Sequence, residues 1–388
     1  MAEDCTQAAK LSFWGVRGST PTVDRHTLRY GGNTPCLDLA APDGSRFILD
    51  CGTGLRMLGK QWAAEIAPID AQIFVTHYHW DHIQGLPFFS PLYSPQNRFH
   101  FYSFRSDFLG RDSLKRVFEA QMALPYFPVD LSAMSAAREF SELEGGHQVT
   151  IGQTRVTACW LNHPQGCLGF RFDTPAGSIV YATDYEAGRR EFDLMLRELC
   201  QGADVLIADA QFTPKQAATR KGWGHSSWRD SVCLAKTAGV HQLVLFHHDP
   251  DSSDKIIDDI LRQAQNEFES VCAAAEGMTL TLRSSAVAVK MPTTREIACS
   301  KTDLPVRVAG CTLDGEPFEE EALVRDLGIQ SAFIQLRHAP KLQSTLQVIL
   351  DGLKGANGSQ HVVLRGYVVR ADPIPESDET GIDVVFTE

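Results

Sequence analysis

Four good metal-binding side chains fall within six positions of the stretch QIFVTHYHWDHIQG (72–85): His77, His79, Asp81 and His82. Imidazole and carboxylate are the donors that zinc and its first-row neighbours favour. A short β-rich run ends at Thr76, so these residues follow a strand as a loop. The i, i+2 spacing lets His77 and His79 grip one ion from extended backbone, after which Asp81 and His82 turn toward a second position. The plain alternative is a polar loop whose histidines are satisfied internally. A lone histidine would favour that alternative; four donors in so short a span do not.

HYHWDH matches the H-x-H-x-D-H signature of the metallo-β-lactamase superfamily, which the chain resembles over roughly residues 11–285. The resemblance implies an α/β chain folded as an αββα metallo-β-lactamase sandwich, with three further metal ligands downstream. His163, in WLNHP (160–164), resembles the third histidine of the first metal, and Asp184, in YATDYE (181–186), the carboxylate that bridges both. LVLFHHDP (243–250) offers two histidines for the last position. Counting from the strand end favours His247, which leaves His248 to hydrogen-bond or contact substrate. Asp50, in LDCGTG (49–54), falls where relatives orient a ligand histidine, a supporting role worth roughly 10–100-fold in affinity or activity. The implied cofactors are two divalent metal ions, Zn2+ with Mn2+ as the other candidate.

The superfamily spans lactamases, thioesterases, redox enzymes and phosphodiesterases, so the fold does not choose the reaction. IADAQF (207–212) followed by GWGHSS (222–227) resembles the acidic residue and H-S-T-type motif of ribonuclease Z and its relatives. There the extra histidine faces the scissile phosphate and the acidic residue orients it. Carried over, His225 is the proton donor and Asp209 its partner, so the catalytic set read from the sequence is His225, Asp209 and Asp81. The opening FWGVRGSTP (13–21) with YGGNTPC (30–36) is similar to a bacterial group of hydrolases close to ribonuclease Z and the cyclic-phosphate phosphodiesterases. Ribonuclease Z grips transfer RNA with a basic, Gly-rich arm that is missing here. A small or cyclic phosphodiester is therefore the expected substrate, attacked by water activated between two metals. The rival readings are a thioester or lactam hydrolase, and a metal-bound scaffold that docks a partner.

The elements that hold these residues can be read coarsely. Strands are expected at 11–15, 36–40, 46–50, 72–75, 156–161, 168–172, 178–182, 204–209 and 242–246, and helices near 55–66, 190–201, 227–238 and 253–275. Strand runs followed by βα alternation, twice over, suit two sheets covered by outer helices. The aromatic, proline-interrupted stretch from about 103 to 146 reads as an insertion or a substrate-covering segment. Beyond about 285 short strand-like runs dominate, among them PVRVAG (305–310), SAFIQL (331–336), LQVIL (346–350), VVLRGYVVRA (362–371) and IDVVF (382–386). They predict a second domain over 291–388, a small antiparallel β-barrel. It resembles a PilZ-like domain through LRGYVVRADP (364–373) and GIDVVF (381–386). Its DLGIQS (326–331) has Gly328 and Ser331 exchanged relative to the nucleotide-binding turn, and no R-x-x-x-R precedes it. Binding of cyclic di-GMP is not expected, because the donors that neutralise the nucleotide are missing.

Composition narrows the classes further. The 388 residues are 43% hydrophobic and 22% charged, enough for packed cores in two domains. A net charge of −12 disfavours a general nucleic-acid binder, and the barrel segment carries 9 Lys and Arg against 15 Asp and Glu. The ten cysteines are scattered without a C-x-x-C pair, as in a reducing compartment. MAEDCTQAAK has no basic stretch leading into an apolar core, and no apolar run is long enough to span a bilayer. The cytoplasm is the expected location, with no membrane partner; the oligomeric state is left open.

Overall fold

The structure, a computed structural model, describes residues 8–24, 26–292, 300–327, 331–341, 344–355, 358–374 and 379–386. The chain divides into two compact units, Met1–Met291 and Pro292–Glu388.

The first unit is an αββα sandwich. Strands β1 (Ala9–Gly15), β2 (Cys36–Ala40), β3 (Arg46–Leu49), β4 (Asp70–Phe74), β5 (Arg98–Phe104) and β6 (Ala137–Leu143) lie side by side in chain order. Strands β7 (Gln148–Ile151), β8 (Thr154–Leu161), β9 (Cys167–Thr174), β10 (Gly177–Ala182), β11 (Val205–Asp209), β12 (Gln242–Phe246) and β13 (Val271–Ala273) form the second sheet. The chain then returns to the first sheet as β14 (Thr279–Arg283) and β15 (Ala286–Lys290), with β14 antiparallel to β1. Each sheet begins antiparallel and ends parallel, over β3–β6 and β10–β13.

Parallel neighbours require crossovers, and these carry the helices. In the first half they are α1 (Gly54–Trp62), α2 (Trp80–Ile83) and α3 (Ser113–Gln121). In the second they are α4 (Arg190–Leu199), α5 (Pro214–Thr219), α6 (Trp228–Ala238) and α7 (Asp254–Glu267).

Alternation along the strands sorts side chains into layers. Val205 and Ile207 of β11 enter the core between the sheets, whereas Leu206 and Ala208 face the helices. Aromatic pairs span the central layer: Phe74 meets Phe170 at 5.2 Å and Phe47 meets Phe172 at 5.5 Å. Leu55, Leu58, Trp62 and Phe118 seal the outer face of the first sheet; Leu196, Val232, Ala235 and Ile260 seal that of the second.

Two sequence expectations change. The helix read at 253–275 stops at Glu267, where Phe268 turns extended (φ −150°) and Val271–Ala273 becomes edge strand β13. Pairing with β12 outweighs the helical leaning of the alanines that follow. The stretch 103–146 is also more than an insertion. It contains α3 and then β6, which pairs in parallel with β5 and widens the first sheet.

In the second unit β16 (Ser300–Cys311), β17 (Pro317–Leu327), β18 (Ser331–Leu336), β19 (Thr345–Gly355), β20 (Gly358–Pro373) and β21 (Thr380–Phe386) close an antiparallel barrel. Val308, Phe318, Val324, Ile334, Leu346, Val348, Val368, Ile382 and Val384 fill its interior. β17 was missing from the sequence reading. Gly328, one of the two altered positions of the nucleotide-binding turn, lies outside the described residues, as do MAEDCTQ, Cys5 and Cys299. Among the described residues no helix is long and apolar enough to cross a membrane, and all eight cysteines are free.

Candidate metal centre

Strands β8 and β10 are each antiparallel to β9, so they point the same way, and β11 and β12 are parallel to β10. The carboxyl ends of β8, β10, β11 and β12 therefore share one edge of the second sheet, as those of β3 and β4 do in the first. Every candidate residue except His225, which lies in the loop between α5 and α6, sits at such an end. Asp50 follows β3, His77–His82 follow β4, His163 follows β8, Asp184 follows β10, Asp209 closes β11 and His247 follows β12. The backbone is strained where it turns there: Ser19, Asp50, Gln165, Asp184 and His247 have φ between 55° and 67°. Such conformations cost of order 1–3 kcal/mol each for residues with a side chain and persist where surrounding contacts enforce them.

His77, His79 and His163 form the first cluster. Nε2 of His163 lies 3.1 Å from Nδ1 of His79. The Nδ1 of His163 faces the Gly224 carbonyl at 2.9 Å, and that of His77 faces Thr76 Oγ1 at 3.1 Å. With those nitrogens carrying the protons, both Nε2 lone pairs turn inward. The buried Nε2 of His77 has no hydrogen-bond partner. An unsatisfied buried polar atom costs about 1–3 kcal/mol, and a cation would remove that cost. The donors fit a divalent ion.

Asp81, His82, Asp184 and His247 form the second cluster, all of them buried. Nε2 of His82 is 3.2 Å from an oxygen of Asp81 and of Asp184, and Nε2 of His247 is 3.2 and 3.3 Å from the same two atoms. The other Asp184 oxygen lies 3.7 Å from His77 and 3.9 Å from His163, so this carboxylate reaches both clusters. The remaining histidine nitrogens are again fixed from behind. Asp50 holds Nδ1 of His82 at 2.8 Å, while its oxygens also accept Thr76 N–H at 2.7 Å and Tyr181 O–H at 2.8 Å. Gln211 Oε1 holds Nδ1 of His247 at 2.8 Å.

The charges reinforce one another. Burial favours the neutral form of Asp184, yet His247, His82 and His77 hold its carboxyl well below the usual carboxylate range. Burial likewise disfavours charge on His82, but Asp184, Asp81 and Asp50 raise it well above an ordinary histidine. His248 takes no part. Its Nε2 lies 2.9 Å from the Ala274 carbonyl and its ring packs edge-on to Tyr30.

His225 stands beside both clusters. Its Nδ1 is 2.7 Å from Asp209 Oδ2, and its ring stacks on His247 at 4.9 Å. Asp209 is fully buried, and its second oxygen accepts the N–H groups of Gln211 and Ser226. Burial pulls the imidazole down, but Asp209, then Asp184 and Asp81, push it up to about 9. Two cavities meet at His225. One of about 480 Å³ lies over the clusters; the other, about 810 Å³, opens past His163.

The sequence reading missed several contributors. Ser19 donates its N–H to Asp81 at 2.8 Å, Gln211 and Tyr181 position His247 and Asp50, and Glu186 holds the loop that carries His225. Gln211 and Ser19 do lie inside the motif stretches IADAQF and FWGVRGSTP. Gly18 admits no side chain, since a Cβ there would sit 2.4 Å from the His247 ring.

A model of the beta-lactamase superfamily domain matches residues 45–248, a span containing every residue of both clusters. The chain is 25% identical over 304 residues to ribonuclease Z of Methanopyrus kandleri, covering 70% of this chain and 98% of that one. It superposes on the metallo-beta-lactamase fold protein YhfI from Bacillus subtilis with a TM-score of 0.53 at 18% identity, covering 71% of this chain and 99% of YhfI. A diphosphatase from the PhnP family gives a TM-score of 0.52 at 19% identity, covering 71% of this chain and 98% of the diphosphatase. Both likenesses concern the fold.

Proposed function

The chain belongs to the beta-lactamase superfamily, and from that premise we propose that it is a binuclear metal-dependent phosphodiesterase acting on a small or cyclic phosphodiester. His77, His79 and His163 would hold one ion, Asp81, His82 and His247 the other, and Asp184 would reach both. Five imidazoles and two carboxylates suit Zn2+, with Mn2+ as the alternative. Two such ions supply a water acidic enough to ionise near neutral pH and positive charge beside the non-bridging oxygens of the phosphate.

The observation that carries the reading is the 2.7 Å contact between His225 and Asp209. Expulsion of an alkoxide from phosphorus calls for a proton. With Nδ1 bound to Asp209, Nε2 of His225 is free to deliver that proton to the leaving oxygen, while Asp209 orients the ring and stabilises its charge. Asp81 is pinned by Ser19 and completes the wall facing His225. Thioester hydrolysis leaves this pair without a task, because a thiolate departs without a proton.

The name of the ribonuclease Z relative makes RNA the competing substrate. A net charge of −12 and the missing basic arm weigh against it. Among the described residues the cysteines are free and mostly buried, which supports the cytoplasm as compartment. A metal-replete sample assayed on phosphodiesters, phosphomonoesters, thioesters, lactams and a transfer-RNA precursor tests the proposal. Turnover confined to small diesters is the expected result; hydrolysis of only a thioester or lactam would overturn it.

A further inference from the structure

Trp80 lies between two candidate ligands, His79 and Asp81, and the residue is 81% exposed. Its backbone has little freedom. His82 N–H bonds to the His79 carbonyl at 3.0 Å, Gln84 N–H bonds to the Trp80 carbonyl at 2.8 Å, and Asp81 is tied to Ser19. A tryptophan held open in this way forgoes the burial that ordinarily stabilises so large an apolar ring. It forms part of the 480 Å³ cavity over the clusters, together with Tyr78, Asp81, Asp184 and His225. Tyr78 is itself stacked on Phe104 at 4.8 Å. An adjoining cavity shares Tyr78 and His79 and adds Phe108, which is 77% exposed, so this side of the site is aromatic. The side beyond His225 differs: Asn162, Glu186, Arg189, Lys221 and Asp230 line the larger cleft.

Resting on the phosphodiesterase reading, we propose that Trp80 is a stacking platform for a planar, nucleobase-sized ring on the retained arm of the diester. The leaving arm, whose oxygen meets His225, departs into the polar cleft. A water oxygen bonds to phosphorus, the bond from phosphorus to the leaving oxygen breaks, and that oxygen takes the His225 proton. The phosphomonoester keeps the ring, the water oxygen and one water proton; the other proton restores His225. The substrate class is thus a nucleoside-type phosphodiester that yields its monoester and a polar alcohol. A rigid tryptophan stacks at low entropic cost, and losing one stacked base commonly weakens binding by about 10-fold.

The test compares thymidine 5′-(4-nitrophenyl) phosphate with methyl 4-nitrophenyl phosphate, which share a leaving group. The wild-type protein should prefer the thymidine diester through KM. Trp80→Ala should lower kcat/KM for the thymidine diester about 10-fold more than for the methyl diester. Trp80→Phe should retain most of the preference, and Trp80→Leu replaces the alanine variant if that one loses metal. Trp223→Ala, which removes another exposed tryptophan near the cleft, should keep the preference. A preference that survives loss of the Trp80 ring, or vanishes in Trp223→Ala instead, overturns the platform. If neither diester is hydrolysed with both metals bound, the phosphodiesterase reading fails separately. Calorimetry with thymidine 5′-monophosphate then decides the platform: about 10-fold weaker binding without the Trp80 ring supports it, and equal binding overturns it.

Discussion

The carboxylate of Glu186 accepts the backbone N–H of Gly224 at 2.8 Å, and it also accepts that of Gly222 at 2.9 Å. Glu186 lies two residues beyond Asp184, and Gly224 turns its carbonyl to Nδ1 of His163 immediately before His225. One side chain thus ties the carboxylate shared by both clusters to a histidine of the first cluster and to the proposed proton donor. Gly224 tolerates this arrangement because its φ is +87° and a Cβ there would fall 2.2 Å from the His163 ring.

Glu186→Ala should therefore lower kcat by roughly 10–100-fold and weaken metal retention at the histidine triad, the range usual for groups that orient ligands. Glu186→Gln, which still accepts both N–H groups, should recover much of the loss. Steady-state kinetics with metal titration provide the measurement. Wild-type kcat and metal affinity in the alanine variant would show that the loop holds itself.

His225→Ala should keep both metals and lower kcat for phosphodiesters by about 10²–10⁴-fold, the usual worth of general acid–base assistance. Alkyl leaving groups should suffer more than nitrophenolate, which departs without much help. Asp209→Asn should cause a smaller loss in the same direction. Elemental analysis is the essential companion measurement, because Asp209, His225 and His247 could also hold an ion. Loss of a metal in His225→Ala would make it a ligand and sink the proton-donor role.

Chelation should leave a protein that loses stability as the pH turns alkaline. Without metal, Asp184, Asp81 and Asp50 hold the His82 imidazole well above its ordinary value despite burial. A raised value contributes stability that is complete below the unfolded histidine value of about 6.5 and fades as pH climbs through the folded value. The melting temperature of the chelated protein should fall as pH rises from 7 to 9, and metal uptake near pH 7 should expel protons. Calorimetric metal titrations in two buffers of different ionisation enthalpy would count those protons. A result of zero would rule out a charged His82. Elemental analysis of the reloaded protein should give two ions, and saturation at one would end the binuclear assignment.

The barrel should not bind cyclic di-GMP with micromolar affinity, since its sequence lacks the paired arginines that would meet the nucleotide phosphates. Calorimetric titration of the full chain measures this directly. A saturable signal would mean that other donors have taken over.

The barrel also shows where reading ends and folding begins. β17, PFEEEALVRDL, carries three consecutive glutamates, and by local pattern such a run does not resemble a strand. In the structure Phe318, Ala322 and Val324 alternate into the interior, and the inward-directed Glu320 is satisfied by the backbone N–H groups of Arg337 and His338. That satisfaction comes from a hairpin neighbour, which local pattern does not contain. β13 was misread for a related reason, since alanines suit a helix until a sheet edge offers backbone partners.

The loop of His77, His79, Asp81 and His82 was legible because its donors are contiguous: a strand end, i, i+2 histidines and the following aspartate and histidine define each other within a few residues. His163, Asp184, Asp209 and His225 were legible only through their order and the motifs they match, each being unremarkable by itself. The choice between His247 and His248 belonged to the tertiary structure. Adjacent residues point to opposite sides, and a φ of +58° at His247 turns its imidazole toward Asp81 and Asp184, leaving His248 to Ala274. Gln211 behind His247, Ser19 on Asp81 and Glu186 under the His225 loop were invisible for the same reason. Their partners lie 36 to 62 residues away in the chain, so only the packing of two sheets edge by edge brings them together. The sequence by itself determined which donors exist and which strands carry them; the geometry that makes them one site arose when the carboxyl ends of those strands met.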